Sequence, residues 1–203
     1  GNDADAFSIS SGLTADGYIK GATIYLELAD GSRTNTGIKT DANGNYFLTP
    51  EAQGLIASLT GSFSLVAVGG YNVDTGLANT QEMRAPQGST VINPLTTLID
   101  QVAKSNGGDV TAAQASVKTA LGITSSQDLT NFDPISASKD TTNTEAAADA
   151  LLVQKAAAAV ATVIAYAEEL SGDEGASEDV VAAMVAKITS ATPTINLSDT
   201  GTL

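Results

Sequence analysis

The sequence predicts an α+β fold: an N-terminal antiparallel β-sandwich followed by an Ala-rich helical bundle. Two observations carry this. Up to about residue 68 the chain is rich in Gly, Thr and Asn and holds short apolar runs that alternate with polar residues. Beyond residue 98 it is rich in Ala and places apolar residues at helical spacing. A third observation limits what can hold the halves together: with no Cys, the chain relies on packing or on oxygen-ligated cations, not on disulfides or thiolate metal sites. A length of 203 residues allows one sizeable core or two small ones. The expected organisation is a Gly/Ser-containing linker over residues 1–12, the sandwich over 13–91, the bundle over 92–192 and a tail over 193–203.

In the first half, Ala22, Ile24, Leu26 and Leu28 alternate with Thr23, Tyr25 and Glu27, the period-2 mark of a half-buried strand. Asp30-Gly31 supplies a turn, residues 37–40 a short strand, and the run 41–45 a tight turn whose Asn43-Gly44 pair tolerates positive φ. Tyr46, Phe47 and Leu48 resume extended structure. Residues 63–68 are continuous and β-branched enough for a strand inside a sandwich. The segment 79–93 is expected to act as a hinge packed between the halves.

The helical half opens at Asn93-Pro94, where Asn caps and Pro takes the first helical position. Leu95, Leu98, Ile99 and Val102 share one face, and the helix should stop near Asn106-Gly107-Gly108. A second helix starts at Asp109 or Thr111 and ends at Gly122. Residues 123–139 read as irregular, pinned by Leu129, Phe132 and Ile135. A long helix over 144–170, apolar nearly all round, is expected at the centre of the bundle. Asp149 and Lys155 interrupt it and Glu168 and Glu169 close it, so a buried soluble helix is favoured over membrane insertion. A final amphipathic helix carries Val180, Val181, Met184, Val185 and Ile188. No secretion signal is visible, and Gly1 reads as the edge of an excised segment.

Charge narrows the function classes. The chain holds 23 acidic and 9 basic residues, a formal charge of −14 spread over both halves, which opposes binding to nucleic-acid phosphates or anionic membranes. The absence of His and Cys removes the commonest general base and the thiol nucleophile, and no spacing of Ser, Lys or acids suggests a replacement, so a non-enzymatic role is expected. Two loops are candidate sites. Asp41, Asn43 and Asn45 present oxygens at alternate positions of a Gly-containing turn, as the first half of a calcium loop does, with Glu51 too near to close it in the usual way; a metal-free Asn-Gly hairpin is the commoner use of such a turn. Tyr71, Asn72 and Asp74 lie in a Gly-flanked loop suited to recognising a cell-surface glycan or peptide, with ordinary loop packing as the rival reading. Asp133-Pro134 is a bond type open to self-processing, against the simpler reading of an Asp cap before Ile135.

The ordered strings DGYIKGATIYLEL, TDANGNYFL, VGGYNVDTGLAN, APQGSTVINPLTTL and ALGITSSQDLTNFDPIS resemble a module that recurs in large repeat-rich bacterial surface proteins, including RTX-type adhesins. The first part is similar to Cna B-type, transthyretin-like and carboxypeptidase-regulatory-like β-sandwiches. The resemblance implies an extracellular or cell-surface module for adhesion or spacing, joined to neighbouring domains of the same protein and stabilised by Ca2+. One departure is visible: many relatives carry a calcium-type loop between the first strand and TDANGN, where this chain has the short ELADGSRTNTG. Lys20, Glu82 and Ala85-Pro86 bear a loose likeness to the isopeptide apparatus of Cna B-type domains, although an ordinary surface Lys is the better reading.

Overall fold

The computed structural model describes residues 11–14, 17–173, 175–190 and 194–195. In chain order its elements are β1 (Ser11–Thr14), β2 (Ile19–Lys20), β3 (Thr23–Leu28), β4 (Arg33–Lys39), β5 (Asn45–Phe47), α1 (Pro50–Ser58), β6 (Phe63–Val68), β7 (Tyr71–Asn72), β8 (Met83–Pro86), β9 (Val91–Ile92), α2 (Pro94–Ser105), α3 (Val110–Leu121), α4 (Pro134–Ser138), α5 (Thr144–Ser171) and α6 (Ala176–Ile188). The α+β class expected from the composition shift is what forms.

The main sheet is antiparallel in the order β4-β3-β6-β8. Alternation sends Ile24 and Leu26, Leu65 and Ala67, and Met83 and Ala85 to one face, where they share a core with Ile38, Tyr46, Leu48, Ile56 and Ile92. A smaller sheet, β5-β1-β9, pairs β1 antiparallel with β5 but parallel with β9, so the antiparallel expectation holds only in part. α1 is an element the alternation pattern did not announce. Thr49 caps it through Ala52 N, Pro50 sits in its first turn, and Ala52 and Ile56 plug the β core one helical turn apart. The expected hinge, residues 79–93, instead supplies β8 to the main sheet and β9 to the smaller one.

β2 and β7 form a short antiparallel pair whose close approach needs Gly70. Its φ is 80°, and a Cβ there would lie 2.5 Å from the Lys20 carbonyl oxygen and 2.7 Å from Ala22 N. Only glycine satisfies both demands.

The helix starts and stops follow the capping chemistry closely. Asn93 and Thr96 form a reciprocal capping box on α2, Asp109 caps α3 through Ala112 N, and Gly122 and Gly172 close α3 and α5 in the left-handed region. Asp133 caps α4 through Ile135 N, which matches the simpler reading of Asp133-Pro134. The helical core gathers Leu95, Leu98, Ile99 and Val102 of α2 with Val117, Leu129, Val153, Val160, Met184 and Ile188. The helix buried along nearly its whole surface is α2, not α5 as the sequence suggested. α5 leaves Leu151, Leu152, Tyr166 and Leu170 exposed. Residues 1–10 of the expected linker, 191–192 at the end of the expected bundle, and 193 and 196–203 of the expected tail lie outside the described residues; Ile195 is buried and donates its N–H to the Ala120 carbonyl.

Candidate functional site

α2 lies between the helical core and the main sheet, and the contact it makes with the sheet is polar. The strand alternation that sends Leu26 inward sends Glu27 the other way, onto the face that α2 covers, and Glu27 is only 7% exposed. Burying a carboxylate without partners would cost several kcal/mol, so partners must converge on it. They do. Arg33 Nε donates to Oε2 at 2.7 Å, and Arg84 Nε and Lys104 Nζ approach Oε1 at 3.4 and 3.3 Å. Arg33 also forks onto Glu82 at 3.0 and 2.6 Å, while the Arg84 terminal nitrogen reaches Glu82 Oε2 at 3.1 Å. Lys104 turns back to Asp100 at 3.3 Å, one helical turn away on α2, and Asp100 accepts Ser64 Oγ–H from β6 at 2.5 Å.

Three carboxylates thus meet three cations, and the cluster is formally neutral inside a strongly acidic chain. Burial pushes the Glu27 carboxyl up, but the hydrogen bond from Arg33 and the charges of Arg84 and Lys104 outweigh it and hold Glu27 below the usual carboxylate range. The Arg33 fork holds Glu82 low against its own partial burial. Neutral hydrogen bonds lock the same contact: Thr97 Oγ1 accepts Arg84 N–H, and Thr96 Oγ1 donates to the Arg84 carbonyl. Two clefts flank the cluster. One of about 520 Å³ is bordered by Glu27, Ser64, Asp100 and Lys104; the other, of about 180 Å³, by Glu82, Arg84, Thr97, Gln101 and Ser177. The charged groups that reach either cleft through the cluster are already committed to one another. The sheet and α2 are tied across this contact by the Lys104–Glu27 ion pair, the Ser64–Asp100 hydrogen bond and the bonds of Thr96 and Thr97 to the Arg84 backbone, and in that sense the arrangement is a clamp.

The two loops singled out from sequence lie elsewhere. Asp41 Oδ1 accepts both Asn43 N–H (2.8 Å) and Asn45 N–H (3.0 Å), Gly44 adopts φ 71°, and Asn45 leads directly into β5. This is the bonding of a tight Asx-stabilised hairpin. Among the described residues no group of three or more Asp or Glu side chains converges as a metal site. In the other loop, Asn72 faces inward to build the turn: its Oδ1 accepts Asp74 N–H at 2.8 Å and Thr75 N–H at 3.3 Å. Tyr71 and Asp74 point to solvent, with Tyr71 41% exposed and Leu77, on the return limb, 70% exposed. The loop is braced from below, since Tyr18 donates its hydroxyl to Asp133 Oδ2 at 2.9 Å and Val73 N–H bonds to the Tyr18 carbonyl. Burial together with Asp133 and the more distant charge of Asp74 raises the Tyr18 phenol well above its ordinary value. Lys20 is exposed and Glu82 is paired with Arg33 and Arg84, whereas an isopeptide needs a buried Lys beside an Asn or Asp and a catalytic carboxylate.

Sequence reasoning missed the clamp entirely. Its one local signal is the unusual supply of charge on strand residues, Glu27, Arg33 and Arg84, in a chain with few cations. Comparison of the chain with known protein families, with curated proteins and with solved structures gave no match.

Proposed function

We propose that this chain is a non-enzymatic structural or adhesive module of a large bacterial surface or secreted protein, in which a Cna B-like sandwich is held rigidly against a helical bundle. The observation that carries this reading is the cluster around Glu27, which is reached from the sheet by Arg33 and Arg84 and from α2 by Lys104, and which is joined to α2 as well by the Ser64–Asp100, Arg84–Thr97 and Arg84–Thr96 hydrogen bonds. A spacer or adhesin stalk needs that kind of joint, because a hinged pair of cores transmits neither position nor tension to neighbouring domains. The motif resemblance supports the extracellular setting.

Calorimetry tests it. A clamped module unfolds in one cooperative transition with equal calorimetric and van't Hoff enthalpies, whereas two separable transitions would overturn the rigid-spacer reading. A second reading, recognition of a glycan or peptide, is favoured by the exposed Tyr71 and Leu77 on one loop beside Asp74. Selective binding on a glycan or peptide array that is lost in Tyr71→Ala would move the assignment to that loop.

A further inference from the structure

We infer that α5 pairs antiparallel with α5 of a second copy of this chain, about a two-fold axis at Thr162. The exposed positions of α5 follow a heptad pattern of alternating three- and four-residue steps: Leu151, Lys155, Ala158, Thr162, Ala165 and Glu169. Leu152, Tyr166 and Leu170 flank this seam and are 61%, 48% and 70% exposed. The stripe from Leu151 to Glu169 runs about 27 Å at 1.5 Å per residue. Apart from Lys155 and Glu169 its positions are apolar or small, on a helix whose most apolar window has a mean hydropathy of 1.6 and is only 39% buried. A face of that kind on a soluble chain marks an interaction site.

The occupant is identified by the two charges on the seam. Lys155 and Glu169 stand one heptad to either side of Thr162, and among the described residues neither forms an ion pair within the chain. Antiparallel pairing about Thr162 sets Lys155 against Glu169 of the second copy, and the reciprocal pair follows by symmetry. The same operation lays Tyr166 over Ala158 and Ala159 over Ala165, large against small and small against small, which lets the helices approach closely. It also brings Leu170 beside the turn that carries Leu151. A parallel pair would instead oppose Lys155 to Lys155 and Glu169 to Glu169. One helix pair buries less than about 1,200 Å², so the complex belongs to the weak, transient class.

Sedimentation equilibrium of the whole chain from about 5 to 500 μM, at about 0.15 M salt where the Debye length is about 8 Å, tests this. A concentration-dependent dimer is expected. Lys155→Glu and Glu169→Lys should each weaken it about tenfold, and the double variant should return to within about threefold of wild type. Because the chain has no Cys, Thr162→Cys should form an intermolecular disulfide under mild oxidation much faster than Ser58→Cys on α1. A wild type that stays monomeric throughout, including one that then pellets with phosphatidylcholine vesicles, overturns the proposal. So does a dimer insensitive to both single reversals, or one that the double reversal fails to restore while circular dichroism shows intact helix.

Discussion

Two surfaces of the helical half invert the usual arrangement of polarity. Where α2 meets the main sheet, polar groups bridge the two, the Lys104–Glu27 ion pair together with the Ser64–Asp100 and Thr97–Arg84 hydrogen bonds; on the outer side of α5, facing water, stand Leu152, Tyr166 and Leu170. Ion pairs specify geometry but stabilise little beyond their own desolvation cost, whereas exposed apolar side chains stabilise nothing until something covers them. The inner surface is therefore built to fix a relative position, and the outer one to be completed by another molecule.

The largest effect that should break this contrast comes from Glu27→Ala. It leaves Arg33, Arg84 and Lys104 crowded without their shared carboxylate and should cost about 3 kcal/mol, toward the low end for a buried network because Arg33 and Lys104 keep part of their side chains in water. Urea unfolding measures it, and a change below about 1 kcal/mol would show that Glu27 is not holding the three cations as a buried network. Acid titration reads the same groups. Glu27 and Glu82 have folded pKa values below their unfolded ones, so the stability they contribute is complete above the ordinary carboxylate range, near 4.3, and is lost as pH falls through the lower folded values. Stability should decline on going from pH 5 to pH 3, and Glu27→Gln should flatten that slope.

A smaller effect of opposite sign tests whether every buried polar group belongs to a network. Tyr46 is 1% exposed and its hydroxyl has no hydrogen-bond partner among the described residues, and burial raises its pKa. Tyr46→Phe removes an unsatisfied group without changing the packing shape and should stabilise the chain by up to about 1 kcal/mol. Destabilisation by that amount would reveal a hidden partner for the hydroxyl. On the outer face, Leu170→Gln should change monomer stability by less than about 0.5 kcal/mol, because its side chain is already in water. A cost of 2 kcal/mol or more in dilute solution would mean that the face is packed within the chain.

The pattern of what was legible in the sequence follows from range. Caps are local, and Asn93-Pro94, Asp109 and Gly122 marked helix ends that the structure keeps. The strand at Phe63–Val68 was readable because both its faces are buried, which makes a continuous apolar run. The parallel register of Leu13 with Val91 was not, since nothing in either strand encodes its distant neighbour. The clamp was invisible for the same reason: Glu27 and Lys104 are 77 positions apart, and alternation marks Glu27 as outward without saying that α2 will cover that side. The place of α5 was misread because all-round apolarity describes a central helix and a helix awaiting a partner equally well.

The last expected effect concerns the Asp41 turn, where local sequence permits two readings and a calcium titration distinguishes them. A calcium loop needs a carboxylate oxygen of Asp41 turned toward a shared centre with the side-chain amide oxygens of Asn43 and Asn45. Here Asp41 Oδ1 accepts two backbone N–H groups, as an Asx turn needs without any ion, which leaves only Oδ2 for a cation. Thermal melts in millimolar calcium and in chelator should therefore coincide, since a cation with no preference for the folded state cannot shift the midpoint. Asp41→Ala, by contrast, removes both bonds from an exposed turn and should lower stability by about 1 kcal/mol in either buffer. If calcium raised the midpoint and Asp41→Ala abolished the rise, the turn would be a metal site, and the joint between the cores would share its structural role with a bound cation.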